Sequence, residues 1–196
     1  MNDHYFDASP SGPDQRREVT VRAWGHEAAM LTSAGLFSAD GLDHATAVLL
    51  ETLPPPAAGR ILDLGCGWGP IACLLALASP STEVWAVDVN HRALELTRAN
   101  AERMSATVRT ALPDDVPPGL TFDAIWSNPP IRIGKQALHD LLLRWLPRLD
   151  ETGAAHLVVG RNLGADSLQR WLTGQGWPTE RIASSKGFRV LTATRS

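Results

Sequence analysis

Apolar positions recur along this chain with two alternating periods, and the alternation predicts the architecture. "EVTVRAW" and "EAAMLTS" (18–24 and 27–33) read as a short hairpin turning around Gly25 and His26. "DGLDHATAVLLETL" (40–53) puts Leu42, Ala45, Leu49 and Leu53 on one helical stripe, and "PPPAAG" is a rigid linker out of it. Short apolar runs then predict buried strands in "RILDL" (60–64), "EVWAVDV" (83–89), "TFDAIWS" (121–127) and "AAHLVVG" (154–160), with a weaker one in "ATVRTAL" (106–112). Helical patterns lie between them. "PIACLLALAS" (70–79) opens on Pro70, a permitted first-turn position, and "HRALELTRANAERM" (91–104) is capped by Asn90. "KQALHDLLLRWL" (135–146) gathers Leu138, Leu141, Leu142, Trp145 and Leu146 on one face before Pro147 stops it. "DSLQRWLTGQG" (166–176) and a terminal strand in "KGFRVLTATR" (186–195) complete the pattern. Strands alternating with helices predict a doubly wound, mostly parallel α/β sheet covered on both faces.

Composition narrows the picture. The chain has 196 residues, 44% of them hydrophobic, enough for one well-buried domain and too few for two full ones. We expect a flexible arm over 1–16 and a single domain over 17–196, divided into a hairpin-and-helix extension (17–56) and the α/β core (57–196). A net charge of -3 argues against a strongly basic nucleic-acid coat while leaving room for a local basic patch. Cys66 and Cys73 form no CxxC pair and the six histidines lack ligand spacing, so no metal is expected. The polar N-terminus lacks the apolar region of a signal peptide, and no apolar run is long enough to span a bilayer, so a cytoplasmic protein away from membranes is expected.

The strand "RILDL" runs into "GCGWG", placing Gly65, Gly67 and Gly69 where open α/β sheets bind ligands, with Asp63 just ahead. A dinucleotide site favours G-x-G-x-x-G; this loop is G-x-G-x-G, and an acid beside it repels a pyrophosphate. A cationic ligand suits it better, and S-adenosylmethionine carries both an ammonium and a sulfonium. Asp88 closes the next strand, where a carboxylate can accept both hydroxyls of a ribose. Taken singly, either acid serves equally well as a turn cap; with the glycine spacing, the pair points to cofactor binding.

"DLGCGWG", "VDVN" and "SNPP", in that order, resemble the first, second and fourth motifs of class I S-adenosylmethionine-dependent methyltransferases, from about Phe37 to the C-terminus. The resemblance implies a Rossmann-like seven-stranded sheet with an antiparallel C-terminal strand. It implies S-adenosyl-L-methionine as cofactor, bound through Asp63, Gly65, Gly67, Gly69, Asp88, Val89 and Asn128. Family members with Asn-Pro-Pro after the fourth strand methylate planar nitrogens, which are poor nucleophiles because the lone pair is delocalised. On that reading Asn128 and Pro129 are catalytic: the Asn128 side-chain oxygen and the Pro129 carbonyl each hold one N–H and aim the lone pair at the methyl. Two prolines stiffen the loop and add no competing N–H. Orientation and electrostatics then carry the catalysis.

More narrowly, "GLFSADGLDHAT", "SNPPIRIGK", "GAxSLxxWL" and "KGFRVL" resemble the small-subunit (16S) ribosomal RNA guanine-N2 methyltransferases and their single-domain relatives. That resemblance implies that Phe37 and Asp43 fold over the cofactor; as a plain helix start, Ser38 or Asp40 would cap and Phe37 would anchor. It implies RNA as partner, ribosomal RNA or the small subunit, with Pro130, Ile131, Arg132 and Lys135 contacting substrate and the last two holding phosphates of an extruded nucleotide. Three departures stand out. Ile131 occupies the position of a base-stacking aromatic, so that another ring such as Phe37, Trp68 or Trp126 supplies the stack or apolar packing replaces it. The strand before Leu112 ends in Ala111, with Asp114 or Asp115 as the nearest polar groups. A counterpart of the N-terminal half of two-domain members is not expected, which puts a ribosomal substrate in question. Glutamine methylation in a protein of release-factor type, methylation of a small molecule, and an idle fold serving as a binding module are the competing readings.

Overall fold

The computed structural model describes residues 15–33 and 41–195, Arg132 by its backbone alone. Strands β1 (Arg16–Ala23) and β2 (His26–Ser33) form a separate two-stranded antiparallel sheet. The turn lies at Trp24 and Gly25, one residue before the expected place, and both take positive φ (51° and 79°), the geometry whose twist suits a two-residue hairpin. Helix α1 (His44–Thr52) begins later than its pattern predicts. Asp43 is its cap, because its carboxylate accepts the backbone N–H groups of Ala45 and Thr46.

The remaining elements are β3 (Gly59–Leu64), α2 (Pro70–Ala78), β4 (Thr82–Val87), α3 (His91–Arg103), β5 (Val108–Ala111), β6 (Phe122–Ser127), α4 (Lys135–Trp145), β7 (Leu149–Gly160), α5 (Ala165–Gly174), β8 (Thr179–Ser185) and β9 (Phe188–Thr194). The seven strands from β3 onward form one sheet in the order β5-β4-β3-β6-β7-β9-β8, parallel except for β9. Period-two alternation splits each buried strand between two cores. Ile61, Trp126, Val158 and Val190 pack under α1, α2 and α3 with Val48, Leu49, Leu74 and Leu96. Leu62, Ile125, Leu157 and Leu191 face α4 and α5 with Leu138, Leu142, Trp145 and Leu172.

The sequence pattern does not mark β8. It is an edge strand, mostly exposed, and carries the polar residues that keep such an edge from pairing with other chains. From β3 the chain steps outward through β4 and β5, then returns to β6 on the other side of β3. This reversal opens a crevice at the carboxyl ends of β3 and β6. Among the described residues, no helix is long and apolar enough to cross a membrane.

Candidate active site

The loop leaving β3 is folded tightly and held from behind. Gly65, Gly67 and Gly69 all have positive φ (75°, 57° and 86°), a region costly for side chains with a Cβ. The N–H groups of Gly65 and Cys66 both donate to the Val87 carbonyl (2.8 and 3.1 Å). Two polar residues on the buried face of α3 complete the cradle. Thr97 Oγ1 donates to the Gly67 carbonyl (3.0 Å), and Asn100 Nδ2 donates to the carbonyls of Trp68 and Leu31 (2.8 Å each). Asn100 thereby ties loop, helix and hairpin together, and neither it nor Thr97 stood out in the sequence as functional. A Cβ on Gly69 would lie 2.7 Å from the Thr97 side chain, so this glycine faces α3 and is absent from the cavity wall.

Asp63 departs from the expected charge pairing. It is fully buried beneath the loop and is not on the cavity wall. One oxygen accepts the Ala72 N–H at the start of α2 (3.0 Å), and the other has no partner. Burial, with a smaller contribution from the Asp88 charge, pushes its carboxyl up to about 8, so at neutral pH it is mostly uncharged.

A cavity of about 810 Å³ runs along the carboxyl edge of the sheet. In strand order its wall passes from Asp88 and Val89 after β4, through Gly65 and Gly67 after β3, to Asn128, Pro129 and Pro130 after β6. It continues to Gly160 and Leu163 after β7 and ends at Phe188 on β9. Asp88 is half-buried; its two oxygens accept the N–H groups of Gly67 and Asn90 (2.9 Å each). Burial raises its pKa and these donors lower it. Each oxygen keeps a lone pair, so the carboxylate can still accept the two hydroxyls of a ribose. With the bare backbone of Gly65 and Gly67 beside it, this end of the cavity fits an adenosyl cofactor.

At the middle of the edge stands Asn128, whose preceding residue is anchored by Ser127 Oγ donating to the Leu64 carbonyl (2.6 Å). The amide nitrogen of Asn128 donates to the Asp43 carboxylate (2.8 Å) and to Thr46 Oγ1 (3.1 Å). Both amide hydrogens are thus used on α1, and among the described residues the side-chain oxygen has no hydrogen-bond donor. The Pro129 carbonyl accepts the Ile131 N–H (2.8 Å) and retains one lone pair. Asp43 is therefore at once a helix cap, a partner of Asn128 and part of the wall.

Pro130 and Ile131 are on the wall. Lys135 is not; it is exposed at the first position of α4, between Ile133 and Ala137, which are. Phe37 lies outside the described residues, as does the Arg132 side chain. Of the rings considered for stacking, Trp126 is buried away from the wall against Trp24 and His156, while Trp68 touches the wall but is 2% exposed. Nothing in the sequence marks Thr46, Leu163 or Phe188 as part of a site. Thr46 is buried on the turn that Asp43 caps, and Phe188 sits in the quoted "KGFRVL". No group of three or more His, Cys, Asp and Glu arranged to hold a metal ion occurs among the described residues.

Known proteins share this chain's family and fold. The family model described as the methyltransferase small domain matches residues 27–192. An uncharacterized protein of Bacillus subtilis, YbxB, is 29% identical over the whole of both chains. The ribosomal RNA small subunit methyltransferase C of Serratia proteamaculans is 35% identical over 92% of this chain and 54% of its own length. The chain thus spans about half the length of that relative. Among solved structures, the T. thermophilus 16S rRNA N2 G1207 methyltransferase, in complex with AdoMet and guanosine, superposes with a TM-score of 0.81 at 23% identity. The match covers 94% of this chain and 52% of that one.

Proposed function

The chain belongs to the methyltransferase small domain family and is an S-adenosylmethionine-dependent methyltransferase by that membership; from this premise we propose that it methylates an exocyclic amine, guanine N2 of ribosomal RNA. The observation that carries the proposal is the orientation of Asn128. Because its nitrogen is committed to Asp43 and Thr46, its oxygen is the end available to a substrate N–H. With the free lone pair of the Pro129 carbonyl, that makes two acceptors for the two hydrogens of a planar NH2 group. Holding both hydrogens draws the nitrogen out of conjugation and directs its lone pair along the cavity toward the Asp88 end. A cofactor bound at that end would supply an electrophilic methyl on sulfur, and Asp88 with the backbone of Gly65 and Gly67 would hold its adenosyl moiety. Pro130 and Ile131 border the substrate, Lys135 at the first position of α4 meets its phosphates, and Arg132 takes the same role on the sequence resemblance alone.

The substrate class draws support from the ribosomal RNA methyltransferase relatives and from the name of the solved structure with which the chain shares its fold. The test is transfer of labelled methyl to small ribosomal subunits, large subunits and bulk tRNA from cells lacking this gene, followed by digestion to nucleosides. We expect label as N2-methylguanosine from the small subunit. Label that protease removes and ribonuclease does not would replace the RNA reading with glutamine methylation.

A further inference from the structure

We propose that Phe188, the first residue of β9 just past the turn of the C-terminal hairpin, is the surface on which a planar base stacks while its amine is held at Asn128. The inference rests on the methyl-transfer reading and names the body of substrate that the site accepts. It follows from the order of strands along the cavity. The cofactor end lies at β4 and β3 and Asn128 lies on β6, so the lone pair of a nitrogen held at Asn128 points toward β3. The rest of the substrate must then extend the other way, over β7 to β9, where Leu163 and Phe188 form the wall. Two strand spacings separate β6 from β9, roughly 10 Å.

The floor between them is apolar. Gly160 ends β7 directly opposite Phe188 in the register, and its missing side chain leaves room for Leu163. Leu163 folds over that glycine; a Cβ on Gly160 would come within 3.1 Å of its Cδ1, yet Leu163 remains 55% exposed. An exposed leucine beside a half-buried phenylalanine leaves an apolar wall facing open space. Phe188 lies on the sheet face that α1 covers, the face on which Asp43 and Thr46 grip Asn128.

The other rings on the wall, Trp68 and Trp145, are 2% and 1% exposed and have almost no surface to offer. Ile131 has no ring. Of the described rings on this wall, Phe188 is the one that keeps exposed surface. A glutamine side chain, with its single amide plane on flexible methylenes, gains little from such a platform; a heterocyclic base gains a stack.

The experiment uses 2-aminopurine riboside, a fluorescent base with an amine at the position of guanine N2, whose emission is quenched on stacking. It is titrated into the full chain saturated with S-adenosylhomocysteine. We expect binding with quenching in the wild type, and in Phe188→Tyr within about two-fold. Phe188→Leu, of similar volume without a ring, should bind roughly ten-fold or more weakly and lose the quench. Affinity for S-adenosylhomocysteine, unchanged in all three, shows that the fold is intact. If Phe188→Leu binds and quenches like the wild type, the platform is wrong while the methyl-transfer reading stands. If the wild type ignores the nucleoside but transfers methyl to a glutamine in protein, both the platform and the RNA reading fall.

Discussion

Which end of the Asn128 amide faces the cavity decides whether this site can receive an N–H, and the Asp43 carboxylate that caps α1 makes that choice. Turning the amide over would set its carbonyl against the Asp43 carboxylate, which can only accept, and forfeit that donation; the Thr46 hydroxyl, able to donate or accept, holds the amide in place beside it. Thr46 is therefore a positioning residue. Thr46→Val keeps the shape and removes one acceptor; a neutral hydrogen bond is worth about 0.5–1.5 kcal/mol, so kcat should fall roughly three- to ten-fold. Thr46→Ser should restore it, and cofactor affinity should stay level across the pair. Asn128→Ala removes the acceptor itself and should cost on the order of a hundred-fold in kcat, comparable to deleting one preorganised polar group at a reacting centre. Steady-state kinetics with cofactor titrations separate these outcomes. A Thr46→Val loss confined to cofactor affinity would show that the hydroxyl serves the cofactor instead.

Helix α3 does two jobs with one face. Ala93, Leu96 and Ala101 bury it, while Thr97 and Asn100 interrupt the apolar pattern and hold the glycine loop and the hairpin. Asn100→Ala strands the Trp68 carbonyl and both backbone groups of Leu31, so it should destabilise the protein by about 1–3 kcal/mol in chemical denaturation. An unchanged midpoint would mean that water takes over all three bonds. Strands β3, β4 and β6 were legible in the sequence because both their faces are buried, which writes them as continuous apolar runs, and the Asn-Pro-Pro turn was legible because its residues are adjacent in the chain. Asn100, Thr46 and Phe188 were not. Their roles come from helix-to-loop and strand-to-strand pairings that join distant segments, and one residue's polarity gives no sign of its partner. Edge strand β8 was invisible for the opposite reason, since its exposed polar residues look like loop.

Across the whole molecule, two buried titratable groups act on stability in opposite directions. Asp63, ordinarily near 3.8, is pushed up to about 8 by burial; His156, ordinarily near 6.5, is brought down to about 4 by burial in β7 against Trp126. Between about pH 4 and 6.5 the folded state keeps a proton on Asp63 that the unfolded chain releases, while the unfolded chain takes one on His156 that the folded state refuses. The two slopes cancel. From 6.5 to about 8 His156 is neutral in both states and Asp63 acts alone. The folded state there holds the extra proton, so stability falls as pH rises, by up to about 1.4 kcal/mol per pH unit. Denaturation midpoints at pH 5, 6.5 and 8 should accordingly be level at first and then drop. Asp63→Asn keeps the bond to the Ala72 N–H in a neutral side chain and should abolish the drop, overtaking the wild type at pH 8. Replacing His156 with glutamine leaves Asp63 unopposed, so that variant should lose stability steadily from pH 4 upward. If Asp63→Asn follows the wild-type curve, the Asp63 carboxylate is charged beneath the loop, and the cavity carries one more negative charge toward the cofactor than the buried, neutral group described here.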